Sequence, residues 1–105
     1  MPTKTPTLSW EQLRNYTEKW QWQDPKTGVT VTGFNPPDGA RQKRQVPYYV
    51  RYITSRGVVE QGDVITLKVD TRRRQRKVKF TASNQVRILR DYLIISVDGV
   101  RFVTH

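Results

Sequence analysis

Between Lys68 and Lys79 seven side chains are cations (Lys68, Arg72, Arg73, Arg74, Arg76, Lys77 and Lys79), and Asp70 is the one acid. That local balance of +6 is more than half of the chain's net charge of +10. Cations packed this closely repel one another, and the chemistry that suits them is electrostatic: gripping a polyanion whose charges neutralise theirs. The competing reading is a solvated tip that only keeps the protein soluble, a task that a surface of mixed sign would serve as well. Arg41, Lys43 and Arg44 make a second basic cluster, suited to ordering on a phosphate backbone. Tyr49 beside Arg51 offers a ring to stack on a base and a charge to meet a phosphate.

The residues that would do covalent chemistry are missing. The one histidine is His105, so neither a histidine-based triad nor a pair of imidazole metal ligands can form. There is no cysteine, which excludes a disulfide framework and thiolate zinc sites and fits a reducing compartment. The six glycines are scattered, without the spacing of a phosphate-cradling loop. Glu60 and Asp63 form a carboxylate pair near an expected turn, too few ligands for a divalent cation. These absences point away from an enzyme, a cofactor and a small-molecule substrate. Nucleic-acid motifs with a strict code are missing as well: residues 76–83, RKVKFTAS, lack the spacing of an RNA-recognition signature, and no zinc finger or helix-turn-helix pattern occurs.

The cations need a frame. Around them Ile65, Leu67 and Val69 alternate with polar residues, and Arg76 to Phe80 resume the alternation after a polar turn, which predicts a β-hairpin. Its expected faces are Ile65, Leu67, Val69, Val78 and Phe80 on the core side and Lys68, Lys77 and Lys79 on the other. Arg72, Arg73, Arg74 and Arg76 should crown the tip.

Upstream, residues 1–7 read as a flexible or docking arm, and Ser9 with Gln12 forms a capping box that starts a helix of about two turns. Leu8 and Leu13 are placed as a hydrophobic staple, and Trp10 is assigned to packing. Trp20 and Trp22 alternate with polar residues and are assigned to the core rather than to base stacking, because the charge around them is neutral. The sequence Asp24-Pro25-Lys26-Thr27-Gly28 predicts a turn joining strands over 19–23 and 29–34. Residues 35–45 read as an irregular loop.

Residues 46–55 read as a strand with Tyr48, Val50 and Tyr52 on one face and Tyr49, Arg51 and Ile53 on the other. Arg56-Gly57 and residues 60–63 are expected turns, and residues 85–90 a strand or a single helical turn. Asp98-Gly99 between alternating runs predicts a type I′ hairpin with Val97 facing Val100 and Ile95 facing Phe102.

At 105 residues this is one small domain. The expected fold is all-β with one short N-terminal helix, a small SH3-like or OB-like barrel or a rolled antiparallel sheet. With no apolar segment long enough for a signal peptide or a membrane span, the expected setting is cytoplasmic, or within a virion or ribonucleoprotein assembly. All of the net positive charge lies after Ala40. The expected function is a non-enzymatic nucleic-acid-binding module that grips DNA or RNA by the phosphate backbone, largely without reading sequence. The rival expectation is a small structural subunit of a larger assembly, meeting acidic protein surfaces with its arm and hairpin edges.

Overall fold

The computed structural model describes residues 7–102, and at positions 7, 8, 10 and 11 the backbone alone. The expected arm up to residue 6, the packing of Leu8 and Trp10, and residues 103–105 lie outside the described residues. In chain order the elements are β1 (Thr7–Leu8), α1 (Trp10–Thr17), β2 (Trp20–Gln23), β3 (Thr30–Gly33), β4 (Arg41–Gln45) and β5 (Tyr48–Ile53). They continue as β6 (Val59–Asp70), β7 (Gln75–Phe80), β8 (Val86–Arg90), a 3₁₀ turn at Asp91–Leu93, β9 (Ile94–Val97) and β10 (Val100–Phe102). The fold is therefore mainly β with one short α-helix.

Two sheets result, one of seven strands in the order β1-β10-β9-β5-β6-β7-β8 and one of three in the order β3-β2-β4. Pairing is antiparallel throughout, except that β1 runs parallel to β10. Among the described residues the expected barrel is not closed: the large sheet, with β8 and β1 as its two edges, rolls far enough for Tyr52 of β5 and Arg87 of β8 to line one groove. Its concave face holds Tyr48, Val50 and Tyr52 of β5, Val64 of β6, Val78 of β7, Leu89 of β8, Ile94 and Val97 of β9, and Phe102 of β10. Leu13 of α1, fully buried, joins this cluster. Ser9 caps the helix as its type predicts: its Oγ accepts from Gln12 N–H, and Gln12 Oε1 accepts from Ser9 N–H.

β6 carries the architecture. Its first half pairs with β5, from Val59 opposite Ile53 to Val64 opposite Tyr48, and its second half with β7, from Val64 opposite Phe80 to Asp70 opposite Gln75. The turn expected at residues 60–63 is thus a continuous part of this strand. Gly62 is there for space: a Cβ at this position would lie 2.9 Å from Phe80 Cε1. Gly62→Ala is expected to cost about 1–3 kcal/mol by overpacking, read as a lower urea midpoint, and Phe80→Leu in the same chain should recover part of it.

Two bulges shift the expected faces. Thr66 lies opposite Val78 but Lys68 opposite Lys77, so Leu67 is an extra residue in β6. Val64 and Thr66 consequently point inward, Ile65 is only partly buried, and Leu67 is 42% exposed. The Thr66 carbonyl beside the bulge accepts a hydrogen bond from Gln45 Nε2. In β9, Arg51 pairs with Ser96 but Tyr52 with Ile94, so Ile94 takes the core position expected for Ile95. The Val97–Val100 pairing is as predicted, and Asp98 (φ 50°) and Gly99 (φ 80°) both adopt the left-handed conformation of a type I′ turn.

The three-stranded sheet differs more from expectation. Residues 41–45, expected in a loop, form β4 along β2, with Gln21 opposite Arg44 and Gln23 opposite Arg41. Trp20 and Trp22 are only partly buried and are not part of the core; the Trp22 ring lies over Gly33, where a Cβ would meet it at 3.0 Å. The turn between β2 and β3 is as expected, with Asp24 Oδ1 accepting from Lys26 N–H at 2.7 Å.

Candidate nucleic-acid interface

Directly opposed residues of adjacent strands share a face, so the registers place the convex surface of the roll. Lys68 stands opposite Lys77, and Lys79 opposite Ile65. On β8 the same face carries Val86, Ile88 and Arg90, which oppose Lys79, Lys77 and Gln75. Farther along β6, Arg51 opposes Gln61 on one side and Ser96 on the other, and Ser96 opposes Arg101. The levels of Gln61 and Lys68 on this surface are about 20 Å apart along the strand, the bulge at Leu67 adding no length. Asp63 opposite Tyr49 and Asp70 opposite Gln75 are the acids within it.

The hairpin tip is a four-residue turn, Thr71 to Arg74, with Arg72, Arg73 and Arg74 exposed. Asp70 shapes it: its Oδ1 accepts from Arg73 N–H at 3.1 Å, and its other oxygen lies 4.0 Å from Arg73 Nε. The Arg74 carbonyl accepts from Asp91 N–H at 2.8 Å, tying the turn to the 3₁₀ segment. Tyr49 is 40% exposed. Its backbone is fixed to the last hairpin, Tyr49 N–H donating to Asp98 Oδ1 at 2.8 Å and Asp98 N–H to the Tyr49 carbonyl at 2.7 Å.

Of the expected cations, the structure brings Lys68, Lys77, Lys79 and the tip arginines together, with Tyr49 and Arg51 farther along the same face. Arg41, Lys43 and Arg44 sit on the smaller sheet, and Arg44 is engaged by Gln21, whose Oε1 accepts from its Nε at 3.0 Å and Nη2 at 2.6 Å. Arg90 and Arg101 were not among the expected residues, although each has the alternation of an outward position.

Arg76 has to be withdrawn from the tip. It is 5% exposed and points into the roll, where Nε donates to Asp91 Oδ1 at 3.1 Å and Nη1 to Glu18 Oε2 at 3.0 Å and Thr17 Oγ1 at 2.8 Å. Thr17 Oγ1 in turn donates to the Leu13 carbonyl at 2.8 Å, so the guanidinium clamps the end of α1 to β7 and the 3₁₀ turn. Burial pushes the Asp91 carboxyl above its ordinary value, against the opposing pull of Arg76. Burial also raises the Tyr48 hydroxyl to about 12; it shares a 2.8 Å hydrogen bond with Thr66 Oγ1. The parity was legible: Arg76, Val78 and Phe80 alternate onto one side.

Glu60 and Asp63 do not form a pair, since three residues apart on one strand they face opposite ways. Glu60 Oε1 accepts from the Tyr52 hydroxyl at 3.0 Å, while Asp63 lies on the convex side. Among the described residues no group of three or more His, Asp or Glu side chains gathers that could hold a metal ion, and no helix is long and apolar enough to cross a membrane. No family of known proteins, no curated protein and no solved structure matches this chain.

Proposed function

We propose that this chain is a non-enzymatic nucleic-acid-binding module that holds the phosphate backbone on the convex face of the β6–β7 hairpin and at its tip. The observation that carries the reading is the direct opposition of Lys68 and Lys77, with Lys79 two residues on and Arg72 to Arg74 beyond. Like charges placed opposite one another in a sheet destabilise it, and the phosphates of a polyanion laid across them neutralise that repulsion while its condensed counterions are released. Arg51 and Arg101 extend the cationic surface toward the other end of the roll. Lysines and arginines on long stems meet phosphates rather than base edges, so binding is largely independent of sequence.

The test is a titration of the purified protein against single- and double-stranded DNA and RNA at low salt, followed by fluorescence anisotropy. Binding of at least one polymer that a high-salt wash reverses is expected, together with 260-nm-absorbing material that copurifies until such a wash. A protein that binds none of the four at low salt would be read instead as a structural subunit of an assembly, recovered in fixed stoichiometry with its protein partner.

A further inference from the structure

The free edge of the seven-stranded sheet offers a second site, whose backbone donors and acceptors the nucleic-acid reading does not use. Among the described residues β8 pairs with β7 alone and ends the sheet. At the two ends of the β7–β8 ladder, Asp91 N–H donates to the Arg74 carbonyl at 2.8 Å and Phe80 N–H to the Gln85 carbonyl at 2.9 Å. Antiparallel bonding alternates, so residues 85, 87, 89 and 91 direct their backbone groups at β7, while Val86, Ile88 and Arg90 direct theirs away from the sheet. Those outward groups are a template for one more strand.

This edge borders a groove of about 720 Å³ whose far wall is the turn between β5 and β6, including Arg56 and Val58. Ile88 is 65% and Val58 57% exposed, large values for aliphatic side chains that line one groove. The charged residues of the lining are Arg56, Arg87, Arg90 and Glu60, and Glu60 is already engaged by Tyr52. Arg87 folds back on its own strand, with Nη1 donating to the Val86 carbonyl and Nη2 to Gln85 Oε1, both at 3.0 Å, so one edge acceptor is covered by a side chain that can swing aside.

We propose that this groove binds an extended peptide segment of a partner protein, one that alternates acidic and apolar residues and adds to β8 as an eighth strand. The unpaired main-chain donors and acceptors match a polypeptide ladder, the arginines match its carboxylates, and Ile88 and Val58 match its apolar positions. A second copy of this chain is disfavoured, because two β8 edges brought together would each contribute Arg87 and Arg90 without a compensating acid in Val86–Arg90.

The experiment uses an acetylated, amidated (Glu-Val)₄ peptide and follows backbone amide exchange by NMR. The peptide should slow exchange at Ile88 and Arg90 by about tenfold or more, the equivalent of one added hydrogen bond. Ile88→Pro removes only an outward N–H, a change that edge strands accommodate, and should weaken peptide binding by about tenfold or more. Arg87→Glu with Arg90→Glu keeps the backbone and should abolish binding of this peptide while admitting (Lys-Val)₄. The proposal is overturned if the peptide leaves Ile88 and Arg90 exchanging freely or if the charge-reversed protein binds (Glu-Val)₄ unchanged. It is likewise overturned if oligouridylate protects the same amides in the peptide's place, or if protection rises with protein concentration alone.

Discussion

Arg76→Ala is expected to lower the unfolding free energy at neutral pH by about 3–5 kcal/mol, the usual penalty for leaving a buried partner charge uncompensated. The buried charge left behind is Asp91, which is 5% exposed and loses the Nε donor 3.1 Å away, while the more exposed Glu18 loses the Nη1 donor 3.0 Å away. For a domain near 100 residues this corresponds to a fall in Tm of about 12 °C or more. The pH dependence gives the cause. Burial already raises Asp91 above its ordinary value, and removing the cation raises it further. A carboxyl whose folded pKa lies above its unfolded one contributes stability that is present below the unfolded value and lost as pH rises through the folded value. The deficit of Arg76→Ala should therefore be largest near neutrality and shrink as the solution is acidified through the raised Asp91 pKa. Combining Arg76→Met with Asp91→Asn removes both buried charges and should recover much of the lost stability. Thermal and urea unfolding followed by circular dichroism at several pH values measures all of this, and an equal deficit at every pH would assign the loss to packing instead.

The second large effect is the salt dependence of nucleic-acid binding. With Arg76 inside the roll, the hairpin's outward cations are Lys68, Arg72, Arg73, Arg74, Lys77 and Lys79, and Arg73 is drawn toward Asp70. Five contacts on a duplex give a slope of log affinity against log salt of about −4.5, a loss of about 500-fold between 50 and 200 mM. Replacing Lys68, Lys77 and Lys79 with glutamine should flatten the slope by up to about 2.7 and weaken all sequences alike. Folding should survive, since Lys68 and Lys77 are exposed and their mutual repulsion disappears. If the lysine variant keeps the wild-type slope, the convex face is not the grip; if wild type shows a flat salt response, phosphate contacts do not dominate.

Much of this fold was legible in the sequence because period two and turn chemistry are local properties. The Ser9 cap, the burial alternation of Tyr48 to Tyr52 and the left-handed pair Asp98-Gly99 each follow from a few adjacent residues. The misplaced elements depend on partners distant in sequence. A bulge such as Leu67 has no one-dimensional mark, because it is created by the mismatch between β6 and β7, and it turned Ile65 away from the core. Gly62-Asp63 has turn composition, but Gly62 serves the ring of Phe80. β4 carries charged and amide side chains without apolar alternation and is held by its ladder to β2. Arg76 stood in a run of cations, and only the meeting of Glu18 and Asp91 around it makes an inward guanidinium tolerable. The convex lysines were correctly placed opposite the core, whereas Arg90 and Arg101 needed the sheet order to be seen beside them.

The division of β6 between two partners has a consequence for variation. A one-residue slip of this strand would turn Val64 and Thr66 outward, and both ladders would have to break together for it to happen. The β5 ladder alone is enough to keep the register. Residues 71–73 at the tip consequently share the task of alignment: β5 holds β6, while β8 and the buried Arg76–Asp91 contact hold β7, so insertions or deletions in the turn should alter the reach and density of positive charge more than they disturb the core. Evolution can tune the cationic tip and the frame beneath it as separate traits.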